Sequence, residues 1–95
     1  MSRELFLSPA AEQVVQEIWI YLWRNSEAAA DRFLARIEKR FEELRAYPEL
    51  GPSREDVQTE LRHLVMAPYL IMYRLESGMV VVGRIIDGRR DLSAL

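Results

Sequence analysis

His63 is the one imidazole in a chain of 95 residues that contains no cysteine. That leaves no thiolate nucleophile, no disulfide, no Cys-based zinc site and no pair of histidines for a metal. A serine–histidine triad would have to use this single imidazole. His63 lies in the β-like run Leu61-Arg62-His63-Leu64-Val65. If Leu61 and Val65 face a core, alternation turns His63 inward and Arg62 outward, which suits a partly buried structural histidine better than a general base. The carboxylates form no pair that stands out, and Gly51, Gly78, Gly83 and Gly88 are too scattered for a phosphate-binding loop. No cofactor and no metal are expected.

The arginines offer more. The formal charge of −2 conceals a division. Residues 1–61 carry eight Lys and Arg against twelve Asp and Glu, a balance of −4; residues 62–95 carry five arginines against three acids, a balance of +2. Arg62 and Arg84 fall in strand-like runs, and Arg89 and Arg90 follow the Asp87-Gly88 turn. The guanidinium fork suits planar, bidentate contact with carboxylate or phosphate. These four are the candidates for binding a target, as a cationic patch on one face or edge of a sheet. The competing expectation is that Arg90 pairs with Asp87 or Asp91 and pins the tail. With a net negative charge, the chain as a whole has no pull on nucleic acid or anionic lipid, and no direct nucleic-acid binding is expected.

The elements that must position these groups follow from periodicity. Leu5-Phe6-Leu7 is a short apolar run ended by Ser8-Pro9, a cap followed by the favoured first helical residue. Ala11, Val14, Val15, Ile18 and Leu22 then mark one face of a helix to about Trp23, widened by Trp19 and Trp23. Asn25-Ser26 interrupts it. A second helix runs from about Glu27 to Tyr47, with Ala30, Phe33, Leu34, Ile37, Phe41 and Leu44 as its apolar stripe and Pro48 as its stop. Two amphipathic helices across so short a break form an antiparallel hairpin.

After a rigid connector, Pro48 to Pro52, and a polar stretch, Ser53 to Glu60, come three β-rich runs: Leu61–Val65, Tyr69–Leu75 and Met79–Ile86. Short links make them an antiparallel meander. Gly83 inside the last run suggests a bulge or a close backbone approach. The expected order is β-α-α-β-β-β, an α+β fold with a helical hairpin packed on a small antiparallel sheet, in one domain spanning residues 1–95. Hydrophobic residues make up 49% of the chain, enough for one core, with Phe33, Ile37 and Phe41 at its centre. The longest apolar run, Ile18 to Trp23, is far short of the roughly 20 residues that span a bilayer. With no targeting segment visible, a cytoplasmic protein without membrane contact is expected.

Several stretches together resemble the RelE/ParE superfamily of bacterial toxins from type II toxin–antitoxin modules. They are Leu7-Ser8-Pro9-Ala10-Ala11, Glu17-Ile18-Trp19 with Tyr21, Ala29 with Phe33 and Ile37, and Leu44 with Tyr47-Pro48 and Gly51. Leu61-Arg62, Tyr69-Leu70-Ile71-Met72-Tyr73, Arg84-Ile85-Ile86 and Gly88-Arg89-Arg90-Asp91 complete the series, which spans nearly the whole chain. The β-α-α-β-β-β order is that superfamily's arrangement.

Within it, the chain is more similar to the ParE branch. RelE-like members are ribosome-dependent mRNA endonucleases that combine basic residues with a C-terminal Tyr or His. Here the last tyrosine is Tyr73, and Asp87 to Leu95 offers only Asp and Arg as ionisable side chains. Where the family often has a His before Gly-Arg-Arg, this chain has Asp87. The ParE resemblance implies a toxin that inhibits DNA gyrase without being an enzyme. It also implies a hetero-oligomer with a ParD-like antitoxin whose disordered segment folds along the toxin. Trp19, Trp23 and Tyr47 are the candidates for antitoxin contact, set against the possibility that both tryptophans finish the core. The alternatives are a RelE-like mRNA endonuclease using Arg62, Arg84 and His63, and a non-toxic interaction module of the same fold.

Overall fold

The computed structural model describes residues 3–89. Its elements are β1 (Leu5–Leu7), α1 (Pro9–Asn25), α2 (Glu27–Ala46), β2 (Arg62–Met66), β3 (Tyr69–Glu76) and β4 (Met79–Asp87). They lie in one four-stranded sheet of order β1-β4-β3-β2 and a helical hairpin against it. Two antiparallel pairings, β2 with β3 and β3 with β4, form the expected meander. The sheet is mixed rather than wholly antiparallel, because β1 runs parallel to β4, Leu5 opposite Val80 and Leu7 opposite Val82. The hairpin between β1 and the meander returns the chain so that both strands leave the same end of the sheet.

Each helix begins on a serine. The Ser8 hydroxyl accepts from the Ala11 N–H at 3.1 Å and donates to the Gly83 carbonyl at 2.7 Å. Ser8 N–H also donates to the Val82 carbonyl at 2.9 Å. One residue thus caps α1, with Pro9 at its first position, and ties that helix to β4. The Ser26 hydroxyl accepts from Ala29 N–H and starts α2. Because the Ser26 N–H also donates to the Leu22 carbonyl, a single residue closes α1 and opens α2.

The core sits between the hairpin and one face of the sheet. Ala11, Phe33, Ile37, Phe41 and Leu44 come from the helices; Leu64, Met66, Ile71, Tyr73, Val80, Val82 and Ile85 come from the strands. Phe33, Ile37 and Phe41 are all buried, as their spacing predicts. The alternation in β2 is the reverse of the expected one. Leu64 and Met66 face the core, whereas Val65 is 49% exposed on the opposite face, which His63 shares by parity. The reason is that Leu61 is buried on that same opposite face, in a cleft it lines with Met72 and Val81, and not in the hairpin core.

The connector after α2 is locked to the sheet by Tyr73. Its buried Oη donates to the Pro48 carbonyl at 2.7 Å and accepts from the Gly51 N–H at 2.9 Å. Gly51 lies so close to β2 that a Cβ there would stand 2.1 Å from the His63 carbonyl oxygen. At the other end of the sheet, Ser77 and Gly78 both take positive φ in a two-residue turn between β3 and β4.

Candidate functional site

One face of the sheet is spent on the hairpin; the other carries the groups open to a partner. Met72 and Val81 are buried on that second face, outside the hairpin core. Continuous apolar runs in β3 and β4, rather than strict alternation, are what a sheet covered on both faces requires. The cover is the connector. Its chain turns back on itself through Val57 N–H and Gln58 N–H to the Arg54 carbonyl and Arg54 N–H to the Leu61 carbonyl. Val57 and Leu61 thereby form one wall of a cleft of about 250 Å3, with Met72, Val81, Arg74 and Arg84 also in its lining.

Arg84 reaches this face through a bulge. The register runs Met72 opposite Arg84 but Tyr73 opposite Val82, leaving Gly83 as the extra residue. Strict alternation from Val82, which is in the core, would send Arg84 into the core too. The inserted residue reverses the phase, so Ile85 is buried and Arg84 exposed. Apart from its chain neighbours, a Cβ on Gly83 would meet no atom of the described residues within 4 Å.

Of the predicted target-binding arginines, Arg62, Arg84 and Arg89 lie among the described residues, and each has different surroundings. Arg62 directs Nη1 to the Gly51 carbonyl at 2.8 Å and, more distantly, to that of Glu49 at 3.4 Å, so it fastens the connector. Arg89 forms a two-pronged pair with Asp87, at 3.1 Å and 2.9 Å. That hydrogen bond first, and the Asp87 charge second, hold the exposed guanidinium still more firmly protonated. Asp87 is one of the two partners expected for Arg90; Arg90 and the other, Asp91, lie outside the described residues. Arg74 pairs with Glu76 and Arg54 with Asp56. Arg84 is the strand arginine that makes no hydrogen bond or ion pair among the described residues.

The aromatic candidates divide likewise. Trp19 and Trp23 stack with ring centroids 6.3 Å apart. Trp23 is half exposed and Ile20 beside it 44% exposed, giving α1 an apolar outer surface. Trp19 is partly buried, and its Nε1 is buried without a hydrogen-bond partner. Tyr47 is 69% exposed but caps the far end of the 20-residue α2, about 30 Å along its axis from the hairpin turn. It belongs to a different surface.

His63 is partly buried beside the connector. Desolvation first, then the nearby Arg54 charge, push its imidazole below the ordinary histidine range, with Asp56 opposing. Its Nδ1 is buried and has no partner. Among the described residues no cluster of His, Asp and Glu could hold a metal ion, and no helix is long and apolar enough to cross a membrane.

Fold and face together describe a small α+β protein with one covered and one partly open sheet surface. Residues 5–92 match the family described as ParE toxin of type II toxin–antitoxin system, parDE, and the chain belongs to that family. It is 41% identical to Toxin ParE3 of Caulobacter vibrioides over 70 residues, 74% of this chain and 70% of that one. It is 27% identical to Toxin ParE1 of Mycobacterium tuberculosis over 94 residues, covering 97% and 96%. Among solved structures, a chain of the chromosomal ParDE system from P. aeruginosa superposes with a TM-score of 0.74 at 17% identity, over 90% of this chain and 96% of that one. The last likeness establishes the shared fold.

Proposed function

We propose that this ParE-type toxin acts by binding DNA gyrase and blocking replication, and that a ParD-like antitoxin neutralises it in a hetero-oligomeric complex. The observation that supports a binder over an enzyme is the composition of the last strand and the turn after it. Met79 to Arg89 offer Arg84, Asp87 and Arg89 as the ionisable side chains, and the last two are engaged with each other. Arg84 and Arg89 are then contacts for the target. Trp19 and Trp23 present the exposed apolar surface on α1 that suits an antitoxin helix.

One observation favours the endonuclease reading as the alternative. His63 is paired across the sheet with Met72, and Met72 with Arg84, so an imidazole and a guanidinium stand on either side of one residue on the same face. Two strand spacings separate them, about 10 Å.

Induced expression in bacteria distinguishes the two. The gyrase reading expects filamentation, a DNA-damage response and trapped gyrase–DNA cleavage complexes. Immediate translation arrest with mRNA cut in the ribosomal A site would replace it with the endonuclease. A folded chain without effect on growth would leave a non-toxic module.

A further inference from the structure

The cleft beside Gly83 combines three features. Its lining is apolar where Met72, Val81 and Leu61 contribute to it. Arg84, also part of the lining, is exposed and has no intramolecular partner among the described residues. The space beside Gly83 is open, because among the described residues no atom other than those of its chain neighbours lies within 4 Å of where its Cβ would be. Bulges commonly re-aim a side chain next to a functional site, and here the bulge delivers Arg84 to the open face.

These features select the ligand class. A volume of about 250 Å3 lies below the range of pockets for drug-sized molecules, roughly 300–1,000 Å3, and fits one or two protein side chains. A nucleic acid needs several unneutralised cations along its phosphates. On this face Arg74 is paired with Glu76 and Arg54 with Asp56. One unpaired guanidinium above an apolar lining fits a single carboxylate beside an apolar group.

We propose that the cleft receives a segment of the target protein in which an apolar side chain stands next to an Asp or Glu, the apolar group filling the space at Gly83 and the carboxylate pairing with Arg84. The inference rests on the gyrase reading and names the part of the toxin surface that reading uses. Gly83 is then a specificity position: any larger residue occupies the target's place.

The test is binding of the purified chain to immobilised DNA gyrase, with Gly83→Leu and Arg84→Ala beside the unsubstituted chain. Gly83→Leu fills the cleft, and Arg84→Ala removes an exposed side chain that holds nothing within the fold. Both are expected to melt like the parent by circular dichroism and to bind at least about tenfold more weakly. Arg84→Lys, which keeps charge without the fork, is expected to fall between. Parent-like affinity in both Gly83→Leu and Arg84→Ala overturns the proposal while leaving the gyrase reading intact. Failure of the parent chain itself to bind gyrase removes the functional reading and this inference with it. Undiminished gyrase binding with lost antitoxin binding in the two variants assigns the cleft to the antitoxin and also overturns the proposal.

Discussion

Replacing Tyr73 by Phe removes one oxygen atom from the middle of the molecule. The ring stays, and with it the packing of a side chain that is 1% exposed. Lost are the hydrogen bonds to the Pro48 carbonyl at 2.7 Å and from the Gly51 N–H at 2.9 Å. The Gly51 N–H is buried and water cannot easily replace the phenol there, so leaving it unpaired costs about 1–3 kcal/mol, with a further ~0.5–1.5 kcal/mol for the part-buried bond to Pro48. A loss of about 2–3 kcal/mol is expected. In a chain of 95 residues that lowers Tm by roughly 10–20 °C.

The assay is urea unfolding followed by circular dichroism, read as a shift in midpoint at constant m. The same tyrosine supplies a second readout. Burial raises its phenol above the ordinary value of 10.0, outweighing the Gly51 N–H bond and the Arg62 charge, which lower it. The folded state therefore holds this proton more tightly than the unfolded state. Its stabilisation is complete below pH 10 and is lost as pH rises from there through the folded pKa. The parent should lose stability above about pH 10, and Tyr73→Phe should lose less. A change below about 0.5 kcal/mol, or parallel alkaline profiles, would refute the view that Tyr73 locks the connector.

Phe41→Ala opens a cavity in the hairpin core and is expected to cost about 3–5 kcal/mol in the same unfolding assay. Ser8→Ala removes both the α1 cap and the bond to the Gly83 carbonyl, for an expected loss of about 1–2 kcal/mol and faster amide exchange at Ala11. The imidazole of His63 is depressed below 6.5 by burial and by Arg54. Stability should therefore be fully present above that pH and fall on acidification toward the folded pKa, and His63→Gln should flatten that limb of the profile.

The helices were legible because capping and stripe agreed: Ser8-Pro9 and Ser26 open them, and Phe33, Ile37 and Phe41 lie inward as spaced. Gly83 announced its bulge. The parallel pairing of β1 was not legible, because three residues carry no direction signal of their own. The face of His63 was not legible, because the burial of Leu61 two residues earlier comes from the connector on the second face and not from the hairpin core. The cleft left a fainter trace. Val57 and Leu61 punctuate a polar stretch, and β3 and β4 are apolar on both faces, but which loop covers them depends on Tyr73 reaching Pro48 and Gly51 across the fold. The fates of the arginines depended on carbonyls and acids brought near by that same folding, as with Arg62 and the Gly51 carbonyl.

Gyrase and supercoiled plasmid, incubated with the purified toxin and then treated with detergent and protease, show whether the toxin traps gyrase on DNA. Linear plasmid is expected to accumulate with toxin concentration and supercoiling activity to fall in step, with both effects reversed by the antitoxin. Unimpeded supercoiling and no linear DNA at a large molar excess of folded toxin would contradict the gyrase reading.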